Sequence, residues 1–93
     1  MIYAIDIDGT ICDSGDRWWE YDKAKPIQDA INKVNELFGQ DHKIILYTAR
    51  WEDARLVTEN WLDKYHVRYH ELVMGKPRAD VYVDNDAKRM DEI

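Results

Sequence analysis

The apolar run Ile2-Tyr3-Ala4-Ile5 passes without a break into Asp6-Ile7-Asp8-Gly9-Thr10. This junction constrains the fold more than any other stretch. A run with so few polar interruptions reads as a strand buried on both faces, and carboxylates at its end are costly to bury unless a metal ion or hydrogen bonds hold them. The two aspartates therefore belong at a strand tip that opens onto a ligand or a cation. Asp-Gly is also an ordinary turn pair, and an Asp-X-Asp triplet by itself serves a turn or a helix start more often than a site. The remaining sequence has to decide between these readings.

Further strand and helix signals follow. Pro26 is suited to the first position of a helix, after which Ile27, Ile31, Val34, Leu37 and Phe38 recur at three- and four-residue spacing until Gly39. Ile44-Ile45-Leu46-Tyr47 is a second buried strand closing at Thr48. Glu52 to Tyr65 is a second helix, with Ala54, Val57, Trp61 and Tyr65 on one face and Leu56 and Leu62 widening it. Val67, Tyr69 and Leu72 to Met74 give a weaker third strand, Gly75-Lys76-Pro77 a loop, and Val81-Tyr82-Val83 a fourth strand that ends in Asp84-Asn85-Asp86. Ala87 to Ile93 is a last short helix, marginal without packing. Helical crossovers return each strand in the same direction, so the expected class is α/β with a mostly parallel sheet of about four strands. Residues 74–80 are too few for an ordinary crossover helix.

With 93 residues the chain has room for one domain, residues 1–93. The segment from Cys12 to Lys25 reads as an excursion over the strand tips, carrying the Trp18-Trp19 pair. Together with Trp51 and Trp61 these are many indoles for a small chain, the sequence reason to expect a homo-oligomer, dimer or tetramer. A net charge of −6 and no sustained basic block argue against nucleic acid and anionic membrane as general partners. Cys12 is the only cysteine, so no intrachain disulfide framework exists. No leader and no apolar stretch of spanning length is visible, which makes the cytoplasm the expected location. His42, His66 and His70 lack convergent metal spacing and read as surface or structural.

In an open parallel sheet, ligands bind beyond the carboxyl ends of the strands. Each expected strand ends in or leads to a reactive group: Asp6 and Asp8, then Thr48, then Lys76, then Asp84. Singly, Thr48 reads as a helix cap and Lys76 as a solvated loop lysine. Jointly, an acid pair, a hydroxyl, an ammonium and a further acid at one sheet edge suit phosphoryl transfer. Asp6 would be the nucleophile, Asp8 the acid and then the base, Thr48 a donor to a phosphate oxygen, and Lys76 the charge that orients Asp6. Mg2+ would be held by Asp6, Asp84 and the backbone carbonyl of Asp8.

These segments resemble the four motifs of the haloacid dehalogenase superfamily of phosphohydrolases: Asp6-Ile7-Asp8-Gly9-Thr10, then Ile44 to Thr48 extended by Ala49-Arg50, then Lys76 in Gly75-Lys76-Pro77, then Val81-Tyr82-Val83-Asp84. The resemblance runs from Met1 to about Ala87 and implies a small Rossmann-like three-layer fold, Mg2+ dependence and a metal set of Asp6, Asp8 and Asp84. Gly9, Thr10, Ala49 and Arg50 would be the substrate-binding neighbours. Asp8 is similar to the second acid of the phosphatases, which the dehalogenase members lack. Cys12 to Lys25 is too short for a folded cap, so the expected form is capless, similar to small proteins near capsule or sugar-phosphate biosynthesis. One departure is Asn85, where many relatives carry a second consecutive acid; the expectation is weaker Mg2+ binding or compensation by Asp86.

The expected activity is a Mg2+-dependent phosphomonoester hydrolase acting through an aspartyl phosphate on a small phosphorylated metabolite, a sugar or a nucleotide-related compound. Arg17, Lys25, Arg50 and Arg78 are candidates for contacts beyond the transferred phosphate, and Trp18 and Trp19 for stacking walls or subunit contacts. A catalytically weak binding or regulatory module on the same fold is the alternative, as is a structural subunit; the intact Asp6/Asp8 pair favours catalysis.

Overall fold

The computed structural model describes residues 1–76, 79–81 and 88–93. Tyr82 and Val83 of the expected fourth strand, with Asp84, Asn85 and Asp86 at its end, lie outside these residues, as do Pro77, Arg78 and Ala87. The described strands are β1 (Ile2–Asp6), β2 (Cys12–Asp13), β3 (Lys25–Pro26), β4 (Lys43–Tyr47) and β5 (Glu71–Val73), with helices α1 (Gln28–Gly39) and α2 (Arg55–Lys64) between them. β4 lies between β1 and β5, and both pairings are parallel. The α/β class and the parallel, Rossmann-like sheet expected from the sequence are therefore present.

Register explains how the strand ends meet. Ile5 sits opposite Leu46 and Asp6 opposite Tyr47, while Leu46 sits opposite Leu72 and Tyr47 opposite Val73. The ladder continues one step past each strand, with the Ile7 amide donating to the Tyr47 carbonyl at 3.1 Å and the Thr48 amide to the Val73 carbonyl at 3.0 Å. Residues 6–8, 48–50 and 74–76 therefore leave the same edge of the sheet, the edge at which parallel sheets bind ligands. At the opposite edge the His70 amide donates to the Ile44 carbonyl, and the Ile44 amide donates to His70 Nδ1, both near 3.0 Å. His70 is structural, as its sequence setting suggested.

The core is built from the inward residues of this framework: Ile5, Ile7, Ile11, Ile31, Val34, Leu37, Ile44, Leu46, Trp61 and Leu62. The α1 stripe predicted from periodicity is confirmed at Ile31, Val34 and Leu37. Three expectations change. Pro26 does not open the helix; it pairs with Cys12 in the two-residue ribbon β2–β3, and α1 begins at Gln28. A proline with no N–H is well placed in so short an edge pairing. In α2 the buried positions are Thr58, Trp61 and Leu62, and Leu56 is exposed. Helical phase carries Leu56 to the outside because Ala54 and Thr58 fix the inner stripe four residues apart. The C-terminal described stretch holds only a 3-10 turn, Met90–Glu92, in place of the helix expected there.

β1 is less enclosed than the apolar run implied. Among the described residues it pairs only with β4, and Ile2 is exposed while Ile5 is buried. The excursion from β2 to β3 does cross the strand-tip edge, but both its ends are core: Cys12 and Ala24 are buried, and Trp61 Nε1 donates to the Ala24 carbonyl at 2.9 Å. Trp61 is thus an interior residue, whereas Trp18, Trp19 and Trp51 are exposed. Among the described residues no helix is long and apolar enough to cross a membrane.

Candidate active site

The loop after β1 is organised around one carbonyl. The amides of Thr10, Ile11 and Cys12 all point at the Ile7 carbonyl at 3.0–3.3 Å, and the Gly9 amide donates to the Cys12 carbonyl at 2.9 Å. Gly9 adopts φ +81° at this reversal, a conformation that a residue with a Cβ reaches only with strain. Ile7 and Ile11 are fully buried on either side of Asp8. The alternation of strand geometry thus anchors Ile5 and Ile7 inward and leaves Asp6 and Asp8 half-buried at the edge.

Asp8 is the hub of the site. Thr48 Oγ1 donates to Asp8 Oδ2 at 2.9 Å, Arg50 Nη2 to Oδ1 at 2.8 Å, and Arg50 Nε reaches both oxygens at 3.3 Å. Ser14 Oγ donates to Oδ1 at 3.4 Å. Burial works against the charge on Asp8, but the hydrogen bonds and charge of Arg50, with those of Thr48 and Ser14, outweigh it and hold the carboxyl below the usual range. Asp8 is a carboxylate in this arrangement.

Arg50 is itself an interior residue, only 2 % exposed. Its remaining nitrogen Nη1 donates to Thr58 Oγ1 at 3.0 Å, and the Thr58 hydroxyl passes a hydrogen bond back to the Ala54 carbonyl at 2.8 Å. The guanidinium lies 4.0 Å from the centre of the Tyr21 ring, a cation–π arrangement. The turn that delivers it is also fixed, because the Arg50 amide donates to Thr48 Oγ1 at 3.1 Å and the Arg50 carbonyl accepts from the Gly75 amide at 2.8 Å. Arg50 was expected at the substrate; the structure places its guanidinium on Asp8, Thr58 and Tyr21. Thr48 likewise turns its hydroxyl to Asp8.

Asp6 lies at the end of β1 in a different environment. Burial pushes its carboxyl up, and the nearby charge of Lys76 only partly offsets this. The Lys76 amide donates to the Thr48 carbonyl at 2.9 Å, and its ammonium lies 4.0 Å from the centre of the Tyr47 ring. Asp6, Asp8, Thr48 and Lys76 therefore gather at one sheet edge, as their sequence positions suggested. Gly9, Ala49 and Arg50 border one cleft there with Asp8; Gly9 and Thr10 border a second groove against the first turns of α1. Asp84 lies outside the described residues. Among the described residues no three His, Cys, Asp or Glu side chains form a cluster that could hold a metal ion.

The sequence reading missed Thr58, Tyr21 and Ser14. Thr58 carried a legible signal: it is a polar residue four places from Ala54 and four before Leu62, on the stripe that a helix must bury. Tyr21 and Ser14 carried none, since their roles arise from how the excursion folds back over Arg50. Cys12, read as a packing residue, is buried with its thiol 3.8 Å from Asp8 Oδ1; burial first, and then the Asp8 charge, push it up to about 11.

The family described as the polynucleotide kinase PNKP phosphatase domain matches residues 1–91. A crystal structure from Vibrio cholerae is similar to this chain at 25 % identity with a TM-score of 0.82, covering 98 % of this chain and 85 % of that one. A structure titled as a Pnkp1/Rnl/Hen1 complex aligns at 27 % identity and TM-score 0.72 over 90 % of this chain, and one titled as the Pnkp1/Rnl/Hen1 RNA repair complex at 26 % and 0.70 over 96 %. In those two, the chain spans only 31 % and 28 % of the longer proteins. No curated protein matches it.

Proposed function

Because this chain belongs to the family of polynucleotide kinase phosphatase domains within the haloacid dehalogenase phosphohydrolases, and is a phosphatase, we propose that it hydrolyses small phosphomonoesters through an aspartyl phosphate on Asp6. The observation that carries this reading is the convergence of Asp6, Asp8, Thr48 and Lys76 beyond the same strand ends, tied together by the 2.9 Å hydrogen bond from Thr48 to Asp8. Asp6 is the half-buried carboxyl whose proton affinity burial raises, and Asp8 is the one held by Arg50, Thr48 and Ser14. Burial alone favours the protonated form of Asp6 and Arg50 the ionised form of Asp8, so the nucleophile's role requires positive charge beside Asp6, from Lys76 and a cation, to hold it as a carboxylate.

In the first step an Asp6 carboxylate oxygen bonds to phosphorus as the ester P–O bond breaks, and the bonding pair leaves with the alkoxide oxygen. Asp8, which takes up a proton from solvent as the substrate binds, supplies it to that oxygen. The incoming phosphate dianion raises the proton affinity of Asp8, since a second negative charge opposes the carboxylate form that Arg50 otherwise favours. In the second step Asp8, again a carboxylate held by Arg50 and Thr48, takes a proton from water. The water oxygen bonds to phosphorus, the Asp6–phosphorus bond breaks, and Asp6 and inorganic phosphate are released. Lys76 offsets charge on the phosphoryl oxygens and on Asp6.

The donor chemistry fits a hard divalent cation, for which we propose Mg2+. Asp6 is a carboxylate whose burial a cation would offset, the backbone carbonyl of Asp8 adjoins it in sequence, and Asp84 would complete an all-oxygen set. The side chain of Asp8 stays with Arg50. Bound there, Mg2+ would screen the repulsion between Asp6 and the phosphate oxygens.

A cytoplasmic enzyme that self-associates through its exposed aromatics is part of the same proposal; sedimentation at known concentration tests it. Hydrolysis of an aryl phosphate with Mg2+ tests the chemistry. Asp6→Asn abolishes it, and undiminished turnover by that variant removes Asp6 from the mechanism.

A further inference from the structure

Next to Asp8 and Arg50 the excursion from β2 to β3 walls an open cleft of about 320 Å3, to which Asp13, Ser14, Trp18 and Tyr21 contribute. This volume is at the small end of ligand pockets, which run from about 300 to 1,000 Å3. On the phosphatase reading, the cleft is where the group attached to the phosphate lies. Its chemistry is that of Trp18 and its rim.

The two neighbouring indoles are not equivalent. Trp19 lies outside the cleft, with Arg17 at 5.8 Å from its ring centre. Trp18 borders the cleft and is 49 % exposed. It is propped by Trp19, edge to face at 5.9 Å and 88°, and by Tyr21 at 6.5 Å. Tyr21 is in turn pinned by the Arg50 guanidinium at 4.0 Å. An indole with two aromatic neighbours at the mouth of a phosphate site offers a flat apolar wall on the same cleft as Asp8.

The rim is acidic. The Asp13 carboxylate borders the cleft, held by the Gly15 amide at 2.9 Å. Arg17 and Lys23, two cations of the same excursion, both pair with Glu20, at 3.1 and 3.7 Å, Lys25 lies opposite Asp13 in the β2–β3 ribbon, and Arg50 is turned inward to Asp8. The whole chain carries a net charge of −6. A polynucleotide end brings a further phosphate with every nucleotide, and its binding relies on cations to meet them. An uncharged ring brings none and presents hydroxyls that Asp13 can accept from.

We propose that Trp18 and Asp13 select a monomeric phosphomonoester whose leaving group is a single uncharged ring, stacked on Trp18 and hydrogen-bonded to Asp13, and that they select against a polynucleotide end. A pyranose and a nucleoside share this chemistry. The inference rests on the phosphatase reading.

The test compares kcat/KM for a hexose phosphate, a nucleoside monophosphate, a 3′-phosphorylated oligonucleotide and the ringless glycerol phosphate. Both ringed monomers, or one of them, exceed the oligonucleotide and glycerol phosphate; which of the two is preferred identifies the ring. Trp18→Ala lowers the kcat/KM for the preferred monomer at least about fivefold more than for glycerol phosphate, the scale of a lost stacking contact, and Asp13→Lys shifts preference toward the oligonucleotide. Wild-type preference for the oligonucleotide, or equal losses on ringed and ringless substrates in Trp18→Ala, overturns the inference. Binding to the Asp6→Asn protein, read by indole quenching, decides the same point without turnover: a ringed monomer binds more tightly than glycerol phosphate, and equal affinities refute the role of Trp18. Absence of turnover on every substrate by the wild type refutes the phosphatase reading alone.

Discussion

Replacing Arg50 by Met removes the guanidinium while filling much of its volume, and the consequences follow from where its hydrogen bonds go. Breaking a fully buried ion pair costs about 3–5 kcal/mol because a charge is left without a partner. Asp8 keeps 36 % of its side chain exposed, so water screens part of the orphaned charge, and a loss of about 2–3 kcal/mol is expected. Thr58 still donates to Ala54 and adds little to the loss. For a chain of this size each kcal/mol moves the melting temperature by roughly 4–8 °C, so Arg50→Met melts roughly 10–20 °C lower. Asp8→Asn is the converse truncation, leaving a guanidinium that is 2 % exposed against a neutral amide. The double variant removes both orphans and is therefore less destabilised than the two single losses added together, by about 1–3 kcal/mol. Urea denaturation of the four proteins in EDTA measures this. Losses that add to within about 0.5 kcal/mol would refute the claim that Arg50 is there to hold Asp8. The sign with pH is also fixed: Asp8 is held below its ordinary value of 3.8, so its contribution is complete above that pH and is lost as pH falls through the lower folded value.

Asp6 has the opposite linkage. Its proton affinity is raised by burial above the ordinary 3.8, so it favours the fold at low pH and opposes it as pH rises through the folded value; in EDTA at pH 7 Asp6→Asn melts higher than the wild type, and the gap closes below about pH 3.8. Cys12 is fully buried and pushed up to about 11, so a disulfide reagent at pH 8 modifies it only after denaturation; rapid reaction of the native thiol would contradict its placement. Trp61→Phe strands the Ala24 carbonyl that Trp61 Nε1 now serves, and a loss of about 1–3 kcal/mol in urea denaturation is expected.

What the sequence made legible was whatever depends on period and order. Order along the chain put Asp6 and Asp8 at the tip of the first strand, although the run read as buried on both faces and of Ile2 to Ile5 only Ile5 is buried; three- and four-residue spacing found the buried stripe of α1. Parallel pairing then brings Thr48 and Lys76 to the same edge, because register at Tyr47 fixes where all three segments leave the sheet. The roles within that edge were less legible. A buried arginine gives no periodic signal of its own, so Arg50 looked like a substrate contact until its partners Thr58 on α2 and Tyr21 on the excursion were seen around it. Pro26 was misread for a related reason: a proline opens helices and also suits edge pairings, and only the tertiary contact with Cys12 distinguishes the two. Leu56 was misplaced because an apolar residue at a helix start says nothing about phase, which Thr58 and its hydrogen bond set.

The central claim is that Asp6 carries the phosphoryl group. Quenching the protein in acid during turnover of a phosphate-labelled substrate, then mapping the label by peptide, tests it directly. The label appears on the peptide that contains Asp6, at up to one per chain, and is absent from Asp6→Asn. Label on another residue, or steady turnover with no labelled peptide under any quench time, contradicts the account.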